Sequence, residues 1–200
     1  YKANRPPMPQ ELQEQLPHLW EMLEAMNLPV LKKPGVEADD IIGTLALSAN
    51  EEGLDTYIVS GDKDFMQLMN DHIFMYAPGT RKSPDPVIYD PKKVEEKWGV
   101  PPEKMIDLLG LMGDSSDNVP GVAGVGEKTA VKLINAYGSL EGALANTDKV
   151  TNKRVHKGLK EGAKNARLSK ELVTILTDVE LACQVDDLLK KEMDLDACTE

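Results

Sequence analysis

Apolar positions along the first ninety residues follow two periods. Leu12, Leu16, Leu19, Leu23 and Met26 recur at three- and four-residue steps, the spacing of one helix face, and Pro17 falls where a second helical piece would start. Pro29 to Leu31 is a short apolar run expected as a buried strand, with Gly35 turning the chain after it. Ala38, Ile42, Leu45, Ala46 and Ala49 make a second helical stripe that Gly53 closes. Thr56 to Ser60 is β-branched and aromatic, hence a strand. Gly61-Asp62-Lys63-Asp64 follows at once and leads into a short helix through Met69. Ile73 to Tyr76 and Val87 to Tyr89 complete the strands. Strands alternating with helices predict an α/β domain with a mostly parallel sheet.

After Asp90 the strand signal fades. Asp90-Pro91 opens a helix that Gly99 ends, and Pro101-Pro102 opens another running to about Met112. Helices and glycine turns follow, with Val179 to Leu181 as the one late candidate strand. The expected organisation is an α/β domain over 1–96, a helical subdomain over 97–185, and an acidic linker or tail over 186–200.

Composition sharpens this outline in three places. At 200 residues and 41% hydrophobic content the chain can bury a core, and no apolar run reaches the ~18 residues of a membrane-spanning helix. Tyr1 opens the chain with no charged-then-apolar leader, as at the boundary of a fragment. Cys183 and Cys198 stand near the C-terminus, which fits reduced thiols in a cytoplasmic protein and leaves too little sulfur for a thiolate metal centre. A net charge of −11 argues at first sight against a nucleic-acid partner. Much of that charge, however, sits in the stretch from Glu180 to Glu200 and in three short motifs where divalent cations would neutralise it.

The first motif is Glu37-Ala38-Asp39-Asp40, placed in the opening turn of the second helix, where Glu37 and Asp40 share a face. The second, Gly61-Asp62-Lys63-Asp64, lies just beyond the carboxyl end of a strand, where ligands gather in α/β sheets. The third is Gly113-Asp114-Ser115-Ser116-Asp117-Asn118, after the helix that ends near Met112. Each alone is also what a carboxylate at a helix N-terminus or a capped turn looks like. Their conjunction points further. Three carboxylate groups at the edges of apolar elements are a poor use of charge unless hard, oxygen-preferring cations draw them together. Carboxylates so gathered are expected to show raised pKa values until such cations bind.

Gly121-Val122-Ala123-Gly124-Val125-Gly126-Glu127-Lys128-Thr129 invites a phosphate-loop reading and fails it, because Glu127 separates Gly126 from Lys128. It is expected instead as a glycine hairpin between the helix ending near Met112 and one running from Glu127 to about Ala136. Gly124 and Gly126 are expected at positive φ, leaving backbone N–H groups for a phosphate. The alternative is a plain inter-helix turn with Val122 and Val125 filling the core.

In this order the four segments resemble the 5′-nuclease family, which includes the N-terminal exonuclease domain of bacterial DNA polymerase I, phage 5′-nucleases and eukaryotic flap endonucleases. The likeness to the polymerase I branch runs from Tyr1 to about Leu181. It implies a PIN-like α/β domain followed by a helical subdomain with a helix-hairpin-helix element. It also implies two Mg²⁺ or Mn²⁺ ions about 3.5–4 Å apart that activate water and stabilise the leaving oxygen of a DNA phosphodiester. Asp39, Asp62, Asp64 and Asp117 match the family's strongest metal ligands, and Glu37, Asp40 and Asp114 match positions that bind directly or through water. Tyr1, Lys2 and Arg5 match residues over the active site that contact the 5′ strand or scissile phosphate. The resemblance further implies K⁺ held by backbone carbonyls of Val122 and Val125. Gly121, Gly124, Gly126, Lys128 and Thr129 would contact duplex phosphates. Finally, it implies a further strand, with another metal-binding aspartate, ahead of Tyr1. The expected partner is DNA with 5′ flaps, nicks or 5′ ends, and the expected protein is a bacterial cytoplasmic, nucleoid-associated monomer with a polymerase domain C-terminal in the same polypeptide. A stand-alone bacterial 5′-nuclease and a non-catalytic DNA-binding fragment are the alternatives.

Overall fold

The computed structural model describes residues 2–4, 6–81 and 83–197. The chain divides into two units: residues 1–5 with 49–175, and residues 6–48 with 176–200.

In the first unit, strands β1 (Thr56–Val59), β2 (Ile73–Ala77) and β3 (Val87–Tyr89) form a sheet in the order β1-β2-β3. β1 pairs parallel with β2, and β3 pairs antiparallel, so the expected mostly parallel sheet is small and mixed. Period-two alternation sets its faces. Ile58, Ile73 and Met75 are buried, whereas Tyr57 and Val59 on edge strand β1 are 55% and 69% exposed. Between β1 and β2 the expected helix is a 3-10 turn, Lys63–Leu68, that drives Phe65 and Met66 into the core.

Helix α3 (Pro91–Trp98) begins where the sequence placed it: the Asp90 carboxylate accepts the Lys93 N–H at 2.7 Å, and Gly99 closes the last turn. A 3-10 turn (Pro102–Lys104) runs into α4 (Met105–Met112), whose Met105, Leu108, Leu109 and Leu111 are fully buried. Around α4 pack α5 (Glu127–Tyr137), α6 (Leu140–Ala145) and above all α7 (Lys153–Val173). Asp107 of α4 is buried among these apolar residues and is matched by the Lys170 ammonium of α7 at 2.7 Å. Such a pair is costly to break, because the remaining charge would stay buried alone.

The second unit contains helix α1 (Gln10–Ala25) and most of α2 (Ala38–Glu51). α1 runs unbroken through Pro17, where a fresh start was expected. The missing N–H of Pro17 leaves only the carbonyl of exposed Gln13 unpaired, and water can serve it. Leu16, Leu23 and Met26 are half-buried, and no α1 residue is fully buried. α2 is turned by about one residue from the expected stripe: Ile41, Ala46 and Ala49 are buried, while Ala38 and Ile42 are exposed. No strand forms at Pro29 to Leu31 or at Val179 to Leu181. At Val179 and Glu180 side chains take hydrogen bonds a strand would have used. The Val179 N–H reaches Thr44 Oγ1 at 3.2 Å, and the Lys33 ammonium reaches the Glu180 carbonyl. Farther on, the Asp194 N–H donates to the Ala25 carbonyl at 2.9 Å. Among the described residues no helix is long and apolar enough to cross a membrane.

Candidate active site

The second and third acidic motifs meet in the first unit. Asp62 caps the 3-10 turn after β1, accepting the Asp64 N–H at 3.0 Å while its own N–H goes to Ser60 Oγ. This tight turn aims Lys63 and Asp64 at the loop that follows α4. There a one-rung bridge between Asp114 and Val119 closes a short loop, and the Asp114 carboxylate organises it by accepting the Ser116 N–H at 2.7 Å and the Ser116 hydroxyl. Asp117, buried to 8% exposure, is carried by that loop. Its carbonyl accepts the Lys2 N–H at 2.8 Å, and the Ser115 carbonyl accepts the Asn4 amide at 2.9 Å, so the N-terminal segment lies along the motif. Tyr1, Arg5 and Cys198 lie outside the described residues.

The electrostatics of this cluster are uneven. Burial pushes the Asp64 carboxyl up to about 6; Lys63 opposes the rise, and the charges of Asp62, Asp114 and Asp117 add to it. Asp64 Oδ1 is buried with no hydrogen-bond partner. Asp114 has the opposite balance: burial would raise it, but hydrogen bonds from Lys63 and Ser116 hold it down at about 2. Lys63 is the cation between them, hydrogen-bonded to Asp114 Oδ2 and 3.7 Å from Asp64 Oδ1. Burial works against its charge, and the bond to Asp114 with the nearby aspartates outweighs burial, raising its pKa. Among the described residues no three His, Cys, Asp or Glu side chains form a ready-made metal-binding group; an ammonium sits among the carboxylates instead. The donor set itself, all oxygen with one buried oxygen lacking a donor, suits a hard divalent cation.

The first motif belongs to the second unit. Glu37 precedes α2 rather than opening it, and its carbonyl accepts the Ile41 N–H at 3.3 Å. Asp39 and Asp40 are in the first turn, and Asp40 Oδ1 accepts the Leu176 N–H at 2.9 Å.

The glycine hairpin lies in the first unit between α4 and α5. Val122 and Val125 are buried at 3% and 4% exposure, and Ala123, Gly124, Gly126 and Lys128 are exposed. Gly121 and Gly124 have φ of +59° and +83°, which only glycine adopts freely. Gly126 corrects the expectation of positive φ: at −98° it is the extended residue before α5, and a Cβ there would meet nothing within 4 Å. α5 has no side-chain cap, so the first-turn N–H groups of Glu127 and Lys128 face outward with no helical partner. The Val122 carbonyl accepts the Val125 N–H at 3.0 Å.

Sequence reasoning passed over what supports this hairpin. A Cβ at Gly158 of α7 would meet the Ala123 carbonyl oxygen at 2.1 Å, Gly162 lies one turn on beside Val122, and Ser169 Oγ accepts the Gly121 N–H at 2.9 Å. The four-residue spacing of Gly158 and Gly162 was the available signal: a small-residue face at which another backbone can approach.

A small mixed sheet bearing carboxylates beyond its strand ends, followed by a helical subdomain with an exposed glycine hairpin, is the architecture of the 5′-3′ exonucleases, and the chain belongs to that family. The family's N-terminal resolvase-like domain matches residues 1–99 and its C-terminal SAM-fold domain residues 100–196. Among curated relatives, DNA polymerase I of Bacillus subtilis (strain 168) is 46% identical over 189 residues, covering 94% of this chain and 21% of that protein. The thermostable DNA polymerase I of Thermus filiformis is 39% identical over 196 residues, covering 98% and 23%. The chain thus spans about a fifth of the length of these relatives. Of solved structures, the T5 D15 protein co-crystallised with metal ions is similar with a TM-score of 0.71 at 21% identity, covering 88% of this chain and 68% of that one. Human GEN1 in complex with Holliday junction DNA is similar at 0.60 and 20%, covering 94% and 46%. At such identities the likeness is one of fold.

Proposed function

We propose that the chain is the nuclease portion of a divalent-metal-dependent 5′-3′ exonuclease and flap endonuclease, in a bacterial protein of the DNA polymerase I type. The observation that carries this reading is the buried Asp64 carboxylate oxygen that has no hydrogen-bond donor, lying in the field of Asp62, Asp114 and Asp117. Asp39, Asp62, Asp64 and Asp117 would hold two Mg²⁺ or Mn²⁺ ions, with Glu37, Asp40 and Asp114 binding directly or through water. Such ions supply an activated water and charge relief at the leaving oxygen. The chain's own task is to hold these oxygens in place and to bring cationic groups to the scissile phosphate. Lys2, tied by its N–H to the Asp117 carbonyl, suits the second role, and in this reading Arg5 shares it while Tyr1 contacts the 5′ strand.

In the same reading the exposed rim of the hairpin contacts duplex phosphates through Gly124, Gly126 and Lys128 with Thr129 beside them, whereas Gly121, also expected there, is buried with its N–H held by Ser169 and serves as the hairpin's foot. Such contacts position the duplex without reading its sequence. Carbonyls of Val122 and Val125 would coordinate K⁺. The substrate is DNA with a 5′ flap, nick or 5′ end, and the setting is a monomeric, cytoplasmic protein at the nucleoid, with a polymerase domain in the same polypeptide.

Single-turnover cleavage of a 5′-flap DNA by the protein as its gene encodes it, paired with binding in Ca²⁺, tests this. Asp39→Asn and Asp62→Asn should each abolish most cleavage while leaving binding nearly intact. Near-normal cleavage by both would reduce the chain to a DNA-binding module.

A further inference from the structure

We propose that Lys63 is an internal counter-ion of the acidic cluster, and that its ammonium competes with a divalent cation for the same carboxylates and must move aside when one binds. This rests on reading Asp64 and Asp114 as cation-binding residues and adds a role for the lysine that separates the two aspartates of the second motif. Three observations support it. The Lys63 side chain, only 25% exposed, points inward, although a flexible lysine in a surface turn would ordinarily extend into water. Its ammonium sits among the same carboxylates that a cation would use: it is hydrogen-bonded to Asp114 and 3.7 Å from Asp64 Oδ1. Its service is incomplete, because 3.7 Å is too long for a hydrogen bond and Asp64 Oδ1 is left buried without a donor.

An ammonium is a point charge with three donors on a flexible stem, so it fills one carboxylate well and its neighbour poorly. A divalent cation binds several oxygens at once and is the better occupant. The lysine therefore suits a temporary role. It lowers the repulsion that would otherwise loosen the turn and the loop after α4, and it weakens cation affinity by the fraction of time it stays in place.

The test measures Mn²⁺ binding by the electron paramagnetic resonance signal of free Mn²⁺, and thermal midpoints in EDTA and in Mn²⁺, without reference to cleavage. Wild type is compared with Lys63→Met, Lys63→Arg and Asp64→Asn. Lys63→Met should bind Mn²⁺ about tenfold more tightly if the displaced state is about a tenth populated. It should also melt lower than wild type in EDTA and gain more from Mn²⁺. Lys63→Arg, which restores the charge, should return toward wild-type affinity. A purely structural lysine predicts the same loss of stability for Lys63→Met but unchanged or weaker Mn²⁺ binding, which would overturn the proposal. Should Lys63→Met fail to fold in EDTA, Lys63→Gln gives the same two outcomes while keeping a hydrogen-bond donor. If Asp64→Asn weakens Mn²⁺ binding and the lysine variants do not change it, the counter-ion role alone fails. If Asp64→Asn has no effect, the cation-site reading fails and the proposal with it.

Discussion

The acidic cluster and the glycine hairpin lie in the same unit and are built in opposite ways. The cluster is made of side chains: four aspartates and a lysine, partly buried, with Asp64 raised to about 6 and Asp114 held at about 2. The hairpin is made of backbone, with two valine anchors below and a rim of exposed glycine, alanine and helix-start N–H groups above. One arrangement concentrates charge and needs counter-charge. The other offers dipoles and shape and has no need of titration. Substitutions should therefore separate chemistry from grip, and the comparison can be broken at either end.

The largest effect is expected on the side-chain half. Asp117→Asn keeps the shape of a buried residue and removes one negative oxygen. Cleavage should fall by about 10²–10³-fold or more, the scale seen when one preorganised electrostatic group is lost, while flap-DNA binding in Ca²⁺ barely moves. Equal losses in both assays would show that the two regions do not divide the labour.

On the backbone half, Gly121→Val should act through stability. Its φ is +59°, and a Cβ there would lie 2.5 Å from the Gly113 nitrogen, so a cost on the order of 3 kcal/mol is expected in urea unfolding. Gly126→Ala, with open space around its Cβ, should stay within about 0.5 kcal/mol of wild type. Similar losses for the two would mean that the hairpin's shape does not depend on close backbone approach.

The pH dependence gives a third, smaller effect. A carboxyl whose pKa is raised in the folded chain, from 3.8 to about 6 for Asp64, favours folding when protonated and loses that contribution as pH climbs through this window. Asp114, lowered from 3.8 to about 2, works the other way: its contribution is full above 3.8 and lost as pH falls toward 2. In EDTA at pH 7.5, Asp64→Asn should therefore stabilise the chain by roughly 1–3 kcal/mol, and Asp114→Asn should destabilise it. Thermal melts across pH check both signs. The smallest effect is Lys128→Ala, which should lower the salt slope of duplex binding by about one and leave cleavage of bound DNA unchanged.

These contrasts also explain what could be read from the sequence. Local signals came through: the Asp90 cap with Pro91 and Gly99, strands β2 and β3, and the start of α5 at Glu127 all depend on residues within a turn of one another. What failed depended on distant partners. The buried strand expected at Pro29 to Leu31 does not form, and Val30 there is exposed; the face of α2 is shifted where Thr44 and Asp40 bind backbone groups of residues 179 and 176 that no local window contains. Within the candidate site, the aspartates of the second and third motifs were legible as a group because their spacing matches a family. Lys63 was not, since a lysine between two aspartates looks like solvated surface until the 3-10 turn folds it inward. Gly126 was misjudged because its glycine spacing suggested a left-handed turn where the chain is extended.

The bond from the Gly121 N–H to the fully buried Ser169 hydroxyl fixes the foot of the hairpin to the same face of α7 on which Gly158 meets its tip. An amide held in this way opens to water only when α7 itself separates from α4, so hydrogen exchange at Gly121 should be as slow as in the helical core. The rim above it is then a rigid template rather than a loop that must be ordered on contact. Whatever duplex it meets loses its own freedom on docking, while the hairpin loses almost none.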